Sequence, residues 1–204
     1  MLTKMKTAAV LVTLVLGYAI FVPPANASGD AARGKIPAYT CLGCHGIEGY
    51  RNAYPSYRVP KLGGQKAAYI VAALQGYRDG EREHPTMQAQ VTSLSDQDIE
   101  DIAAYLAMLN SDTVENGGTQ NVSLEAAVTC VACHGQNGIS VSPAWPSLAG
   151  QHEEYLIESL NQYRNGTRKE AVITQMAAPL TDADVKLLAR FNSRLEGLET
   201  TSPE

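Results

Sequence analysis

Cys41 and Cys44 are followed at once by His45, and the same spacing returns at Cys130, Cys133 and His134. Two thiols so placed can each add to one vinyl group of a single porphyrin. The residue after them can then bring an imidazole beneath the metal. C-x-x-C-H is the attachment pattern of c-type haem, and the two motifs use all 4 cysteines of the chain. They predict two covalently bound haem c groups, held by Cys41, Cys44, Cys130 and Cys133, with His45 and His134 on the irons. Two disulfides, a redox dithiol or a zinc site are the alternatives. The trailing histidines argue against the first, and the lack of a βαβ pattern against the second. The 89 residues between the pairs argue against a single zinc unit.

The elements that must position these residues begin after a leader. Lys4 and Lys6 precede an apolar run over residues 8–22, broken by Pro23 and Pro24, and Ala25-Asn26-Ala27 fits small-x-small cleavage. Residues 1–27 read as a secretory signal peptide, which predicts export to the periplasm. An uncleaved anchor is the alternative, but the run is shorter than the ~20 residues a membrane span needs. No other stretch is apolar enough to cross a bilayer.

The rest of the chain is a repeat. Gly64-Gln65, Tyr69, Tyr77-Arg78, Gly80, Leu94 and Asp96 recur 86 residues later as Gly150-Gln151, Tyr155, Tyr163-Arg164, Gly166, Leu180 and Asp182. The cysteine motifs are offset by 89, so the first copy carries three extra residues between its motif and Pro60. The constant offset predicts two homologous domains, 28–110 and 122–204, joined by an exposed linker over 111–121.

Each copy reads as all-α. Ile70, Leu74 and Tyr77 share a helix face, as do Leu156, Leu160 and Tyr163, with Gly80 and Gly166 as stops. Ser95 with Asp98, and Thr181 with Asp184, cap a last helix. Its buried stripe is Ile99, Ile102, Leu106 and Leu109 in one copy, and Val185, Leu188, Phe191 and Leu195 in the other. A short helix should precede each haem motif. Pro37 kinks or delays the first, and the second runs over residues 123–129. Domains this small bury little core unaided, and a haem would supply the missing apolar centre.

Charge bears on partners. Residues 28–110 carry eight basic and nine acidic side chains, and residues 111–204 carry six and twelve. This acidic balance excludes nucleic acid, which is bound through Lys and Arg. The unlike ends could orient the molecule towards a charged partner; a plain soluble acidic surface explains them equally well.

The chain resembles the exported dihaem cytochromes c4 of the class I cytochrome c superfamily over its whole mature length. The resemblance rests on the two C-x-x-C-H-G sites, Pro60-Lys61-Leu62-Gly63-Gly64-Gln65, Trp145-Pro146-Ser147-Leu148-Ala149-Gly150-Gln151, and Leu94-Ser95-Asp96-Gln97-Asp98-Ile99. It implies tandem cytochrome c folds, each haem held by His and Met, and the role of a periplasmic electron carrier. It also implies that the carbonyls of Pro60 and Pro146 orient the histidines.

On that pattern Met87, seven residues before Leu94, is the distal ligand of the first iron. Met108, in the last helix, is a packing residue, and His84 is a competing ligand. The second domain departs from the pattern, because Ile173 occupies the place of Met87. Met176 is then the expected ligand and requires a rethreaded loop; a five-coordinate iron is the alternative. His152 is expected at the surface. Arg78 and Arg164 fit haem propionates or a helix C-terminus. Tyr77, Tyr163 and Trp145 are expected as core against the haem and not as electron relays.

The function so implied is single-electron transfer between respiratory redox proteins, such as a quinol-oxidising complex and a terminal oxidase. The expected state is a monomer, loosely associated with the membrane at most. Two competing readings are an electron-accepting subunit of a periplasmic dehydrogenase, and a haem enzyme with an open iron in the second domain.

Overall fold

Pro37 interrupts the first helical stretch, as its ring and missing N–H require. In the computed structural model, which describes residues 29–110 and 127–201, that stretch becomes α1 (Ala31–Gly34) and α2 (Tyr39–His45). The first domain continues with α3 (Ala67–Arg78), α4 (Pro85–Val91) and α5 (Asp96–Met108). The second has α6 (Val131–His134), α7 (Glu153–Asn165), α8 (Ala171–Ala177) and α9 (Asp182–Ser193). The leader, the linker and most of the helix expected over 123–129 lie outside the described residues. The only β pairing among the described residues is three isolated bridges. The all-α expectation of two tandem domains holds.

The caps form as the sequence predicts. Ser95 and Asp98 make a reciprocal capping box on α5, and Thr181 and Asp184 make its copy on α9. Gly166 ends α7 in the left-handed region at φ 81, where a residue without Cβ costs least.

The first core gathers Leu42, Ile70, Leu74, Val91, Ile99, Ile102 and Leu106. Leu109 falls one residue past the end of α5 and is only partly buried. α1 crosses α5 so closely that a Cβ on Gly34 would collide with the Asp101 carbonyl. The second core holds Leu156, Ala177, Val185, Leu188 and Leu195. Phe191 is only half-buried. Asn192 takes the inward place, its amide donating to the Leu188 carbonyl at 2.9 Å.

The two domains dock through contacts that repeat across a pseudo-two-fold relation. The Gln65 side chain donates to the Ser147 carbonyl at 3.0 Å and accepts from the Ser147 N–H at 2.9 Å. Gln151 does the same to Lys61, at 2.9 and 3.0 Å. Both glutamines are buried. The loop carrying the three extra residues reaches across too: the Arg51 guanidinium meets Glu154 at 2.9 Å, and the Arg58 N–H donates to the same carboxylate. After α9 the chain returns to the first domain. Glu199 pairs with Gly63 in both directions, and the buried Thr201 hydroxyl donates to the His45 carbonyl at 3.2 Å.

Candidate haem centres

The two histidines of the motifs are oriented identically. The His45 Nδ1 lies 2.8 Å from the Pro60 carbonyl, and the His134 Nδ1 lies 2.8 Å from the Pro146 carbonyl. A carbonyl can only accept, so each Nδ1 carries the proton and each Nε2 keeps a lone pair for a metal. Burial lowers both imidazole pKa values, and the proline carbonyls oppose this. Both rings are therefore neutral at pH 7.

Lys61 and Ser147, the residues the glutamines grip, directly follow Pro60 and Pro146. Each domain thus steadies the carbonyl that orients the other domain's histidine. An acceptor of this kind fixes ring angle and raises ligand basicity.

All four cysteines are free and partly exposed. Cys41 and Cys44 are three apart on α2 and so lie near one face. Cys130 caps α6 and Cys133 lies within it. Burial pushes the Cys41 and Cys130 thiols up. Paired free thiols beside an imidazole with a bare Nε2 form a donor set that fits covalent haem in each domain.

Met87 is the third residue of α4 and packs, half-buried, against the first core together with Cys41 and Tyr77. Ile173 is the third residue of α8, the matching place. Met176 lies one turn further on the same helix and is 49% exposed. His84 caps α4, its Nδ1 accepting from the Met87 N–H at 3.3 Å. Glu170 plays that part on α8, accepting from the Ile173 N–H at 2.8 Å. Met108 is exposed.

One other expectation, the surface place of His152, is revised. Arg78 and Arg164 hold carboxylates of the chain itself, pairing with Asp96 at 2.8 Å and with Asp182 at 2.7 Å. Each acid opens the last helix of its domain, so the pair ties two helices together. His152 is buried, because docking covers the N-terminus of α7 that it caps. Burial, followed by Lys61 and Arg58, brings its pKa down to about 4. Trp145 is 42% exposed. Tyr77 and Tyr163 face the buried cations Arg82 and Arg168, with guanidinium-to-ring distances of 4.5 and 4.7 Å. These arginines went unremarked in the sequence, although they obey the same 86-residue offset.

The chain matches the cytochrome c family twice, over residues 31–110 and 123–191. It is 34% identical to cytochrome c4 of Pseudomonas aeruginosa, over 85% of this chain and 91% of that one. It is 32% identical to a thiosulfate dehydrogenase electron acceptor of Stutzerimonas stutzeri, over 80% and 82%. The solved structure of reduced recombinant cytochrome c4 from Pseudomonas stutzeri superimposes with a TM-score of 0.64 at 28% identity, covering 82% of this chain and 100% of that one.

The fold and the paired sites define a tandem c-type cytochrome. The chain belongs to the cytochrome c family, in its dihaem cytochrome c4 branch. It binds two covalent haem c groups, and its work is electron transfer.

Proposed function

We infer that the chain is a mobile electron carrier of the periplasm and does not itself transform a substrate. Haem supplies the one-electron ferric–ferrous change. The side chains ligate, orient and bury. His45 and His134 bind iron through Nε2 while Pro60 and Pro146 hold their Nδ1 protons. Met87 would supply a second ligand to the iron in domain one, and Met176 in domain two. A thioether paired with histidine raises the potential into the range of a carrier. Met176 reaches from one turn beyond the matching position, and a methionine has the rotatable bonds to adapt to that.

Residues 1–27 direct export, and the domains run over 28–110 and 122–204. Among the described residues no helix is long and apolar enough to cross a membrane. The donor is a quinol-oxidising complex and the acceptor a terminal oxidase, met in small, transient encounters. The observation that carries this reading is the repeated histidine–proline geometry, 2.8 Å in both domains.

A second reading makes the chain the dedicated acceptor of a dehydrogenase; the similarity to the Stutzerimonas stutzeri electron acceptor favours it. Purification from the periplasmic fraction separates the two. A monomer that exchanges electrons with added redox proteins supports the carrier. A stoichiometric complex with a dehydrogenase overturns it in favour of the second reading.

A further inference from the structure

Beyond α9 the chain leaves its own domain. The Leu198 N–H donates to the Ala149 carbonyl at 2.8 Å. One residue later, Glu199 exchanges two backbone bonds with Gly63 of the first domain, at 3.0 and 3.2 Å. Ala149 is the copy of Gly63 at the 86-residue offset, so the segment is stitched to the same point of both domains. The Asn110 amide donates to the Thr200 carbonyl at 3.3 Å, and the Thr200 hydroxyl donates to Glu48 at 2.6 Å. Thr201 follows, fully buried, its hydroxyl donating to the His45 carbonyl at 3.2 Å.

Two glycines permit this close approach. A Cβ on Gly46, the residue after His45, would stand 2.5 Å from the Thr201 carbonyl oxygen. One on Gly63 would stand 2.9 Å from that of Glu199. Both partners are backbone and cannot swing aside.

The segment is a strap that meets His45 from two directions. His45 is the last residue of α2, where the final carbonyls have no partner inside the helix. Such a carbonyl needs a donor when it is covered, and Thr201 supplies one from the other domain. Gly63 lies three residues after Pro60, whose carbonyl holds the His45 Nδ1 proton. The strap thus fixes both the backbone that carries the imidazole and the stretch that carries its acceptor. Groups that orient a ligand in this way tune the metal it binds.

We propose that Thr201 is a positioning residue for the first haem: the C-terminal strap of the second domain holds His45, and the potential of the iron on His45 depends on it. The proposal rests on the reading that His45 binds iron in a haem-loaded first domain.

The test uses the mature holoprotein with nitrogen-15 in its histidines. Redox titration followed by nuclear magnetic resonance reports each iron through its own ligand. A parent His45 ring without a hyperfine shift ends the reading that His45 binds iron, and the proposal with it. That result is distinct from every outcome below, in which the shift persists.

Thr201→Val keeps the shape and removes the donor. A slackened Nδ1 bond makes the imidazole a poorer base, which favours ferrous iron. The ferric-to-ferrous equilibrium at the haem on His45 is expected to rise about threefold, ~28 mV for one electron. The His45 Nδ1–H signal is expected to move with it, while the haem on His134 stays as it was. Thr201→Ser restores the hydroxyl and the parent potential. Thr200→Val breaks only the bond to Glu48 and is expected to leave both potentials unchanged.

An unmoved potential in Thr201→Val overturns the proposal even if the melting temperature falls, because Thr201 then serves stability alone. An equal rise at both haems also overturns it, since loosened docking would be the cause. So does an equal rise in Thr200→Val. If Thr201→Val does not mature, a chain ended after Leu198 decides by the same readings: a rise confined to the haem on His45 supports the proposal, and no rise or a joint rise overturns it.

Discussion

At the scale of single residues, the molecule depends on hydrogen bonds that set the direction of a lone pair. Pro60 and Pro146 accept from Nδ1 of His45 and His134 and thereby leave each Nε2 with a free lone pair. The helix before the last is less even between the domains, because the branched hydrocarbon of Ile173 stands where Met87 stands in the other domain. Met87→Ala is expected to lower the potential of one haem by more than ~59 mV, tenfold in the equilibrium, and to leave the other nearly unchanged. Met176→Ala is expected to do the same to the other haem alone. Redox titration of each variant checks both, and a joint fall in either would show the assignment to be mistaken. The attachment residues were legible in the sequence because thioether chemistry demands a fixed spacing. Arg82 and Arg168 were not. Nothing local to an arginine says that another domain will cover it.

At the scale of elements, α1 is a single helical turn and survives by leaning on α5. Gly34 permits the close approach, and Asp101 anchors it. The Arg33 guanidinium holds Asp101 through two bonds of 2.8 and 2.9 Å, and the Asp30 N–H adds a third. Arg33, then this N–H, bring the carboxyl pKa down to about 2. A carboxylate favoured in the folded state stabilises it above its ordinary pKa near 3.8. That contribution is lost as pH falls through about 2. Asp101→Asn should therefore lower the melting temperature at pH 6, and the difference from the parent should shrink towards pH 2. Thermal unfolding across that range checks it. The capping boxes were legible because Ser95–Asp98 and Thr181–Asp184 are local signals. The break at Pro37 was legible for the same reason. The inward place of Asn192 was not, because a bond to the Leu188 carbonyl outweighs side-chain polarity there.

At the scale of the whole molecule, the sequence showed two copies and a connector but not how the copies meet. Docking depends on non-local pairs such as Gln65 with Ser147 and Gln151 with Lys61, and on a tail that returns from α9 to His45. It also explains why His152 is buried. The reciprocal grip of the glutamines gives a crossed expectation. Gln65→Ala leaves buried backbone groups of Ser147 unpaired, at about 1–3 kcal/mol for each. The electron paramagnetic resonance signal of the haem on His134, in the other domain, should broaden, while that of the haem on His45 stays as it was. Gln151→Ala should reverse the pattern. Beneath all of this lies one claim, that each domain carries its own porphyrin on its own cysteine pair. A haemochrome assay on a weighed, fully matured sample, run beside a thiol titration under denaturing conditions, tests it most directly. Two haems per chain and no free thiol is the expected result; a single haem with two reactive thiols would contradict it.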